Sequence, residues 1–154
     1  MIGAAALAEE SLSLFRGLQA VGSLAEVLIT LGQIARAQRD AAAAYAALTE
    51  ALRLAQAIGP RLMVAAALEG LAGIPAQRGE AALAAHLLAA ASTLRGQMGT
   101  LVRPVDQAAV QQVLTTARST LGDDAFAAMW AQAVALPLEQ ILSTISLEAF
   151  GQHL

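Results

Sequence analysis

The chain contains neither cysteine nor lysine. The first absence removes disulfides and thiolate metal sites, and says nothing about compartment. The second removes the phosphate-gripping lysine of a Walker A loop, the Schiff-base amine and the kinase-type lysine. Basic charge rests on nine arginines, spread singly from Arg16 to Arg118, and the net charge is −3. With no basic patch there is no electrostatic footprint for nucleic acid. Aromatic residues make up 3% of the chain. They and the β-branched residues that strands prefer are too scattered for a sheet.

Long apolar runs are missing as well, although the mean hydropathy is +0.59. The longest uncharged stretches, Ala81–Leu94 and Ala125–Leu138, fall short of the roughly 18 residues a membrane span needs. Met1 to Ala8 is apolar but lacks a positive n-region and runs into Glu9-Glu10, a poor signal peptide. The expectation is a soluble cytoplasmic protein with no membrane contact.

What the chain does have is alanine, within 154 residues that are 57% hydrophobic. Alanine is the strongest helix former and lets backbones approach closely, so tightly packed helices are expected. Sliding the sequence by forty residues aligns Leu28 with Leu68, Leu31 with Leu71, Ile34 with Ile74 and Asp40 with Glu80. The register continues without a gap, and such periods signal repeat architectures. If it is real, Leu31 and Leu71 occupy equivalent buried sites. Within each period the apolar spacing is helical: Leu24, Val27, Leu28, Leu31, Ile34, then Ala44, Leu48, Ala51, Ala55.

Helix ends are marked by their own chemistry. Ser23-Leu24-Ala25-Glu26 reads as a capping box, and Asp40 as the cap of a helix from Ala41. Gly59-Pro60 pairs a C-terminal glycine with a proline at the next start. Gly79-Glu80 repeats the Arg39-Asp40 turn. Pro75, with Gly70 and Gly73 nearby, predicts a bent or short helix. Beyond Gly99 the pattern changes, with helices expected over Val105–Leu121, after Gly122-Asp123-Asp124, and from Pro137 through Ile141, Ile145 and Ala149. Phe126 and Trp130 lie in this last part, as in a cap closing an open stack. The predicted fold is all-α: antiparallel helical hairpins stacked as a short solenoid over residues 1–99, with capping helices over 100–154.

These spacings resemble the tetratricopeptide repeat (TPR). Leu31-Gly32, Ala44, Leu48 and Ala51 fit its signature, and so do Leu71, Ala84, Leu88 and Ala91, with Ala72 replacing the glycine. The period is forty rather than about thirty-four, so the helices are longer, and the frequent aromatic is Ala35 or Pro75. The longer variety looks like the C-terminal repeat region of bacterial LuxR/MalT-like and STAND or NB-ARC-type ATPase regulators. The phrases carrying this are Leu7-Ala8-Glu9-Glu10-Ser11-Leu12, Ala67-Leu68-Glu69-Gly70-Leu71-Ala72-Gly73 and Leu121-Gly122-Asp123-Asp124-Ala125-Phe126, followed by Met129-Trp130-Ala131. The resemblance implies a scaffold or sensor role that contacts other protein domains or peptides. It implies no cofactor and no catalytic residue. The alternative is a stand-alone oligomerising helical protein.

In the family geometry the first helix of each hairpin lines a concave groove. That places Glu26, Ile29, Gln33, Arg36 and Ala37, and then Glu69, Gly73, Ala76 and Gln77, on the partner-binding face. The stretch Ala4–Leu18 corresponds to the second helix of a hairpin. Leu7, Leu12, Phe15 and Leu18 would then be covered on one side only, an association site for upstream repeats or for a second copy. Other chemistry is thin. Two histidines, His86 and His153, do not make a zinc site. His86 suits a packed helix boundary, His153 a frayed tail, and Asp123-Asp124 a helix N-terminus, where acids are stabilised anyway.

Overall fold

The turns decide where the helices stop. After Ala37 the chain passes through Arg39 at φ 62°, and after Gln77 through Gly79 at φ 77°. In both turns the residue beyond donates its N–H back over the helix end: Asp40 to the Ala35 carbonyl and Glu80 to the Pro75 carbonyl, each at 2.8 Å. Gly99 at φ 67° closes a third end, with the Thr100 N–H on the Arg95 carbonyl at 3.0 Å. This is the Schellman arrangement, in which a left-handed residue lets the chain satisfy the orphan carbonyls of the last turn.

The computed structural model describes residues 2–18, 21–57 and 60–144. They form α1 (Ile2–Leu18), α2 (Val21–Ala37), α3 (Ala41–Ala57), α4 (Arg61–Gln77), α5 (Ala81–Met98), α6 (Pro104–Leu121), α7 (Asp123–Val134) and α8 (Leu138–Thr144). The described residues contain no strand, and no described helix is long and apolar enough to cross a membrane. Both ends of α2 and α4, and the starts of α3 and α5, are displaced by the forty residues of the sequence register. Gly59, Ile145, Ala149 and His153 lie outside the described residues, as do the side chains of Phe15, Leu18 and Ile141.

The tightest pairings are α2 with α3 and α4 with α5, each folded back by a short turn; α3 then packs on α4 and α1 on α2. Helices α2, α4 and α6 also touch in succession, while α6 and α7 both cover α5. Alanine makes this closeness available: Ala25, Ala44, Ala51, Ala65, Ala67, Ala84 and Ala89 are fully enclosed at the helix contacts. Leu48 of α3 is enclosed between two glycines, Gly32 of α2 and Gly70 of α4. A Cβ at Gly32 would lie 2.5 Å from its Cγ, and one at Gly70 would lie 2.7 Å from its Cδ2. The isobutyl group therefore occupies space that any other residue at those positions would fill.

Three local expectations need correction. The capping box does not form, because α2 already begins at Val21 and places Ser23 inside the helix, exposed. Of the two outcomes expected at Pro75, a bent or a short helix, the short one does not occur: α4 is as long as α2. The missing N–H falls in the final turn, and the proline carbonyl accepts from both Arg78 and Glu80. Leu31 and Leu71 share a register position but not an environment. Leu71 is buried, whereas Leu31 is half-buried and lines an open cleft among α1, α2 and α3.

Other signals hold. The Asp40 carboxylate accepts the Ala43 N–H at 3.1 Å. Helix α6 starts one residue before the expected Val105, with Pro104 in its first turn, and Gly122 precedes α7, whose first turn contains Asp123 and Asp124 without a side-chain cap bond.

If the Leu48 contact sets the spacing of α2, α3 and α4, Gly32→Ala should destabilise the chain by about 1–3 kcal/mol through overpacking. Leu48→Ala should cost about 2–5 kcal/mol through its cavity. In urea denaturation the double variant should be clearly more stable than the sum of the two losses, since each change relieves the other.

Candidate functional site

A pocket of about 360 Å³ lies where α2, α4 and α6 meet. Gln33, Arg36 and Ala37 enter it from α2, and Gly73, Ala76 and Gln77 from α4. These are six of the nine residues expected on the partner-binding face. From α6 come Ala109, Gln112, Val113 and Thr116, which were not anticipated. Helix α6 continues the row begun by α2 and α4, but it falls after the change of pattern at Gly99, so the repeat register gave no way to include it.

The other three residues are elsewhere. Ile29 is fully enclosed in the core and cannot meet a partner. Glu69 is also buried, in a salt bridge with Arg95. Ile29 and Glu69 stand forty residues apart on the same face of α2 and α4, so the correction is one of register: that position turns inward, toward the neighbouring helix. Glu26 is exposed and lies 3.7 Å from Arg103, outside the pocket.

Arg36 sets the electrostatics. Its guanidinium lies over Gly73, where a Cβ would collide with Nη1. The glycine is therefore what admits the arginine between the helices. Burial lowers the Arg36 pKa, and the charge of Asp106 acts in the opposite direction; arginine stays a cation at any ordinary pH. Asp106 is already engaged, accepting from Gln33 Nε2 at 3.0 Å and from Arg103 Nε at 2.7 Å. No described acid lies within salt-bridge distance of Arg36. With Arg39 on the same rim, the pocket offers positive charge and amide groups on a small-residue floor.

The buried pair is built differently. Arg95 Nε and Nη2 donate to the two Glu69 carboxylate oxygens at 2.6 and 2.7 Å, and Nη1 donates to the Leu101 carbonyl at 2.9 Å. The hydrogen bond to Glu69 raises the Arg95 pKa against the effect of its burial. The partners are 26 residues apart, on helices whose relative rotation the sequence does not state.

The remaining candidates have structural surroundings. The Nδ1–H of His86 donates to the Ala82 carbonyl one turn back, at 2.8 Å. Phe126 and Trp130 stack with ring centroids 5.6 Å apart, and the Arg118 guanidinium sits 4.9 Å above Phe126. The described residues hold no group of three or more possible metal ligands.

No protein-family model matches the chain, and neither do curated proteins or solved structures.

Cutting one side of the buried pair strands a charge. Glu69→Gln or Arg95→Ala should each cost about 3–5 kcal/mol. Replacing both, as Glu69→Leu with Arg95→Met, should recover most of that loss in thermal or urea unfolding.

Proposed function

We propose that the chain is a protein-interaction scaffold or sensor module that docks a partner protein against the face shared by α2, α4 and α6. In this reading the two hairpins are repeats of a short, long-period TPR-like solenoid, and α6 to α8 cap it. It is supported by the forty-residue displacement of the helix boundaries and by the succession of α2, α4 and α6. The observation that carries it is Arg36, a partly desolvated guanidinium that lines an open pocket with no described acid within salt-bridge distance. A partner's carboxylate would satisfy it, and charge-assisted hydrogen bonds of that kind are the strong ones.

The module belongs, in this proposal, to a larger cytoplasmic regulator of the bacterial LuxR/MalT or STAND type and performs no catalysis itself. An adjoining in-frame nucleotide-binding or DNA-binding domain in the gene would support that part. The docking part is tested by selecting peptides from a displayed random library against the full chain. Peptides that share an acidic residue, weaken as salt rises and lose about tenfold or more in affinity with Arg36→Gln are the expected result. Peptides that bind the Arg36→Gln chain equally well would overturn it.

A second reading, self-association through α1, is favoured by one observation. Among residues 3–13 of α1 no side chain is fully buried, and Leu7 is 67% exposed. Sedimentation should then show dimers at tens of micromolar that revert to monomers with Leu7→Glu. A monomer throughout, with α1 well protected in hydrogen exchange, removes this reading.

A further inference from the structure

A second pocket, of about 340 Å³, is lined by residues of α4, α5, α6, α7 and the connector before α6. Leu88, Val102, Val110, Leu114 and Trp130 give it apolar walls. Leu114 and Trp130 each border both hydrophobic clusters of the molecule, so the pocket lies on the seam between them. The Glu69–Arg95 pair also lines it.

Apolar walls beside a buried ion pair are an unusual combination, because apolar residues of similar volume would fold as well or better. The bonding of Arg95 suggests a use. A guanidinium has five N–H donors; the bonds to Glu69 and to the Leu101 carbonyl engage three. Two N–H groups have no described acceptor, on a side chain only 4% exposed. Arg95 lines the cavity, so a molecule bound there is within reach of its guanidinium and could supply one. Glu69 already neutralises the guanidinium, so a carboxylate entering here would bring an uncompensated charge into an apolar site. A purely apolar molecule would leave the N–H groups unmet.

The geometry points to a binding site for a small uncharged aromatic molecule bearing one carbonyl oxygen, its ring against Trp130 and Leu114 and its oxygen toward Arg95. This site is separate from the Arg36 pocket and does not depend on the docking role proposed above. It adds an effector input to the same chain.

Trp130 is the chain's single tryptophan, so its emission reports on the pocket directly. Benzamide is titrated into the full chain while Trp130 fluorescence and backbone amide shifts are followed, with toluene and benzoate in parallel. The expected result is a saturable benzamide response, with shifts centred on Leu88, Leu114 and Trp130, and an affinity about tenfold or more above that of either comparator. Ser92→Phe, at an exposed position on the pocket wall, should abolish the response. Glu69→Leu with Arg95→Met should bring benzamide and toluene to equal affinity. The proposal is overturned if benzamide gives no saturable response, if toluene or benzoate binds as well to the native chain, or if the shifts map elsewhere. The amide shifts locate the site in the native chain even if a variant does not fold.

Discussion

Leu48 is the contact on which the arrangement of α2, α3 and α4 depends. A large side chain from one helix enters between two others that carry no side chain at the points of approach, Gly32 and Gly70. Glycine inside a helix is normally a cost of roughly 1 kcal/mol relative to alanine, and here two helices each accept it. The gain is a separation short enough for the surrounding alanines to complete a dense core. This also accounts for a core with so few aromatics: when backbones lie this close, small side chains fill the remaining volume.

That closeness shapes the polar groups too. Gly73 repeats the device with a different occupant, since its absent side chain admits the Arg36 guanidinium between α2 and α4. The result is a cation placed by packing rather than by an acid partner. Nearby, Asp106 ties α6 to α2 through Gln33 and to its own first turn through Arg103. Glu69 and Arg95 tie α4 to α5, and Arg95 reaches on to the connector carbonyl of Leu101. Buried polar pairs of this sort contribute little net stability. They join helices that the sequence leaves far apart: Gln33 to Asp106 between α2 and α6, and Glu69 to Arg95 between α4 and α5. The two pockets lie beside these pairs, so both would have defined walls before anything enters.

The two proposed binding roles rest on two features: one pocket holds the Arg36 guanidinium with no described acid at salt-bridge distance, and the other sets the Glu69–Arg95 pair beside an apolar wall.

The sequence alone determined the helices and several of their limits, because those are set by neighbours along the chain, though it misplaced the start of α2. Asp40 caps where a capping carboxylate should, glycines or Arg39 take the left-handed turns, and the forty-residue displacement fixes the ends of α2 and α4. It also grouped six residues that line one pocket, since positions one turn apart on a helix share a face. It failed where a second helix had to be known. Ile29 and Glu69 lie on the predicted stripe, yet they are enclosed, because burial depends on how far each helix is rotated toward its neighbour. Leu31 and Leu71 share a register but not a covering layer. Arg95 found Glu69 across 26 residues, and α6 joined the row from beyond the forty-residue register. Local periodicity encodes which residues share a face; only packing in three dimensions decides what that face meets.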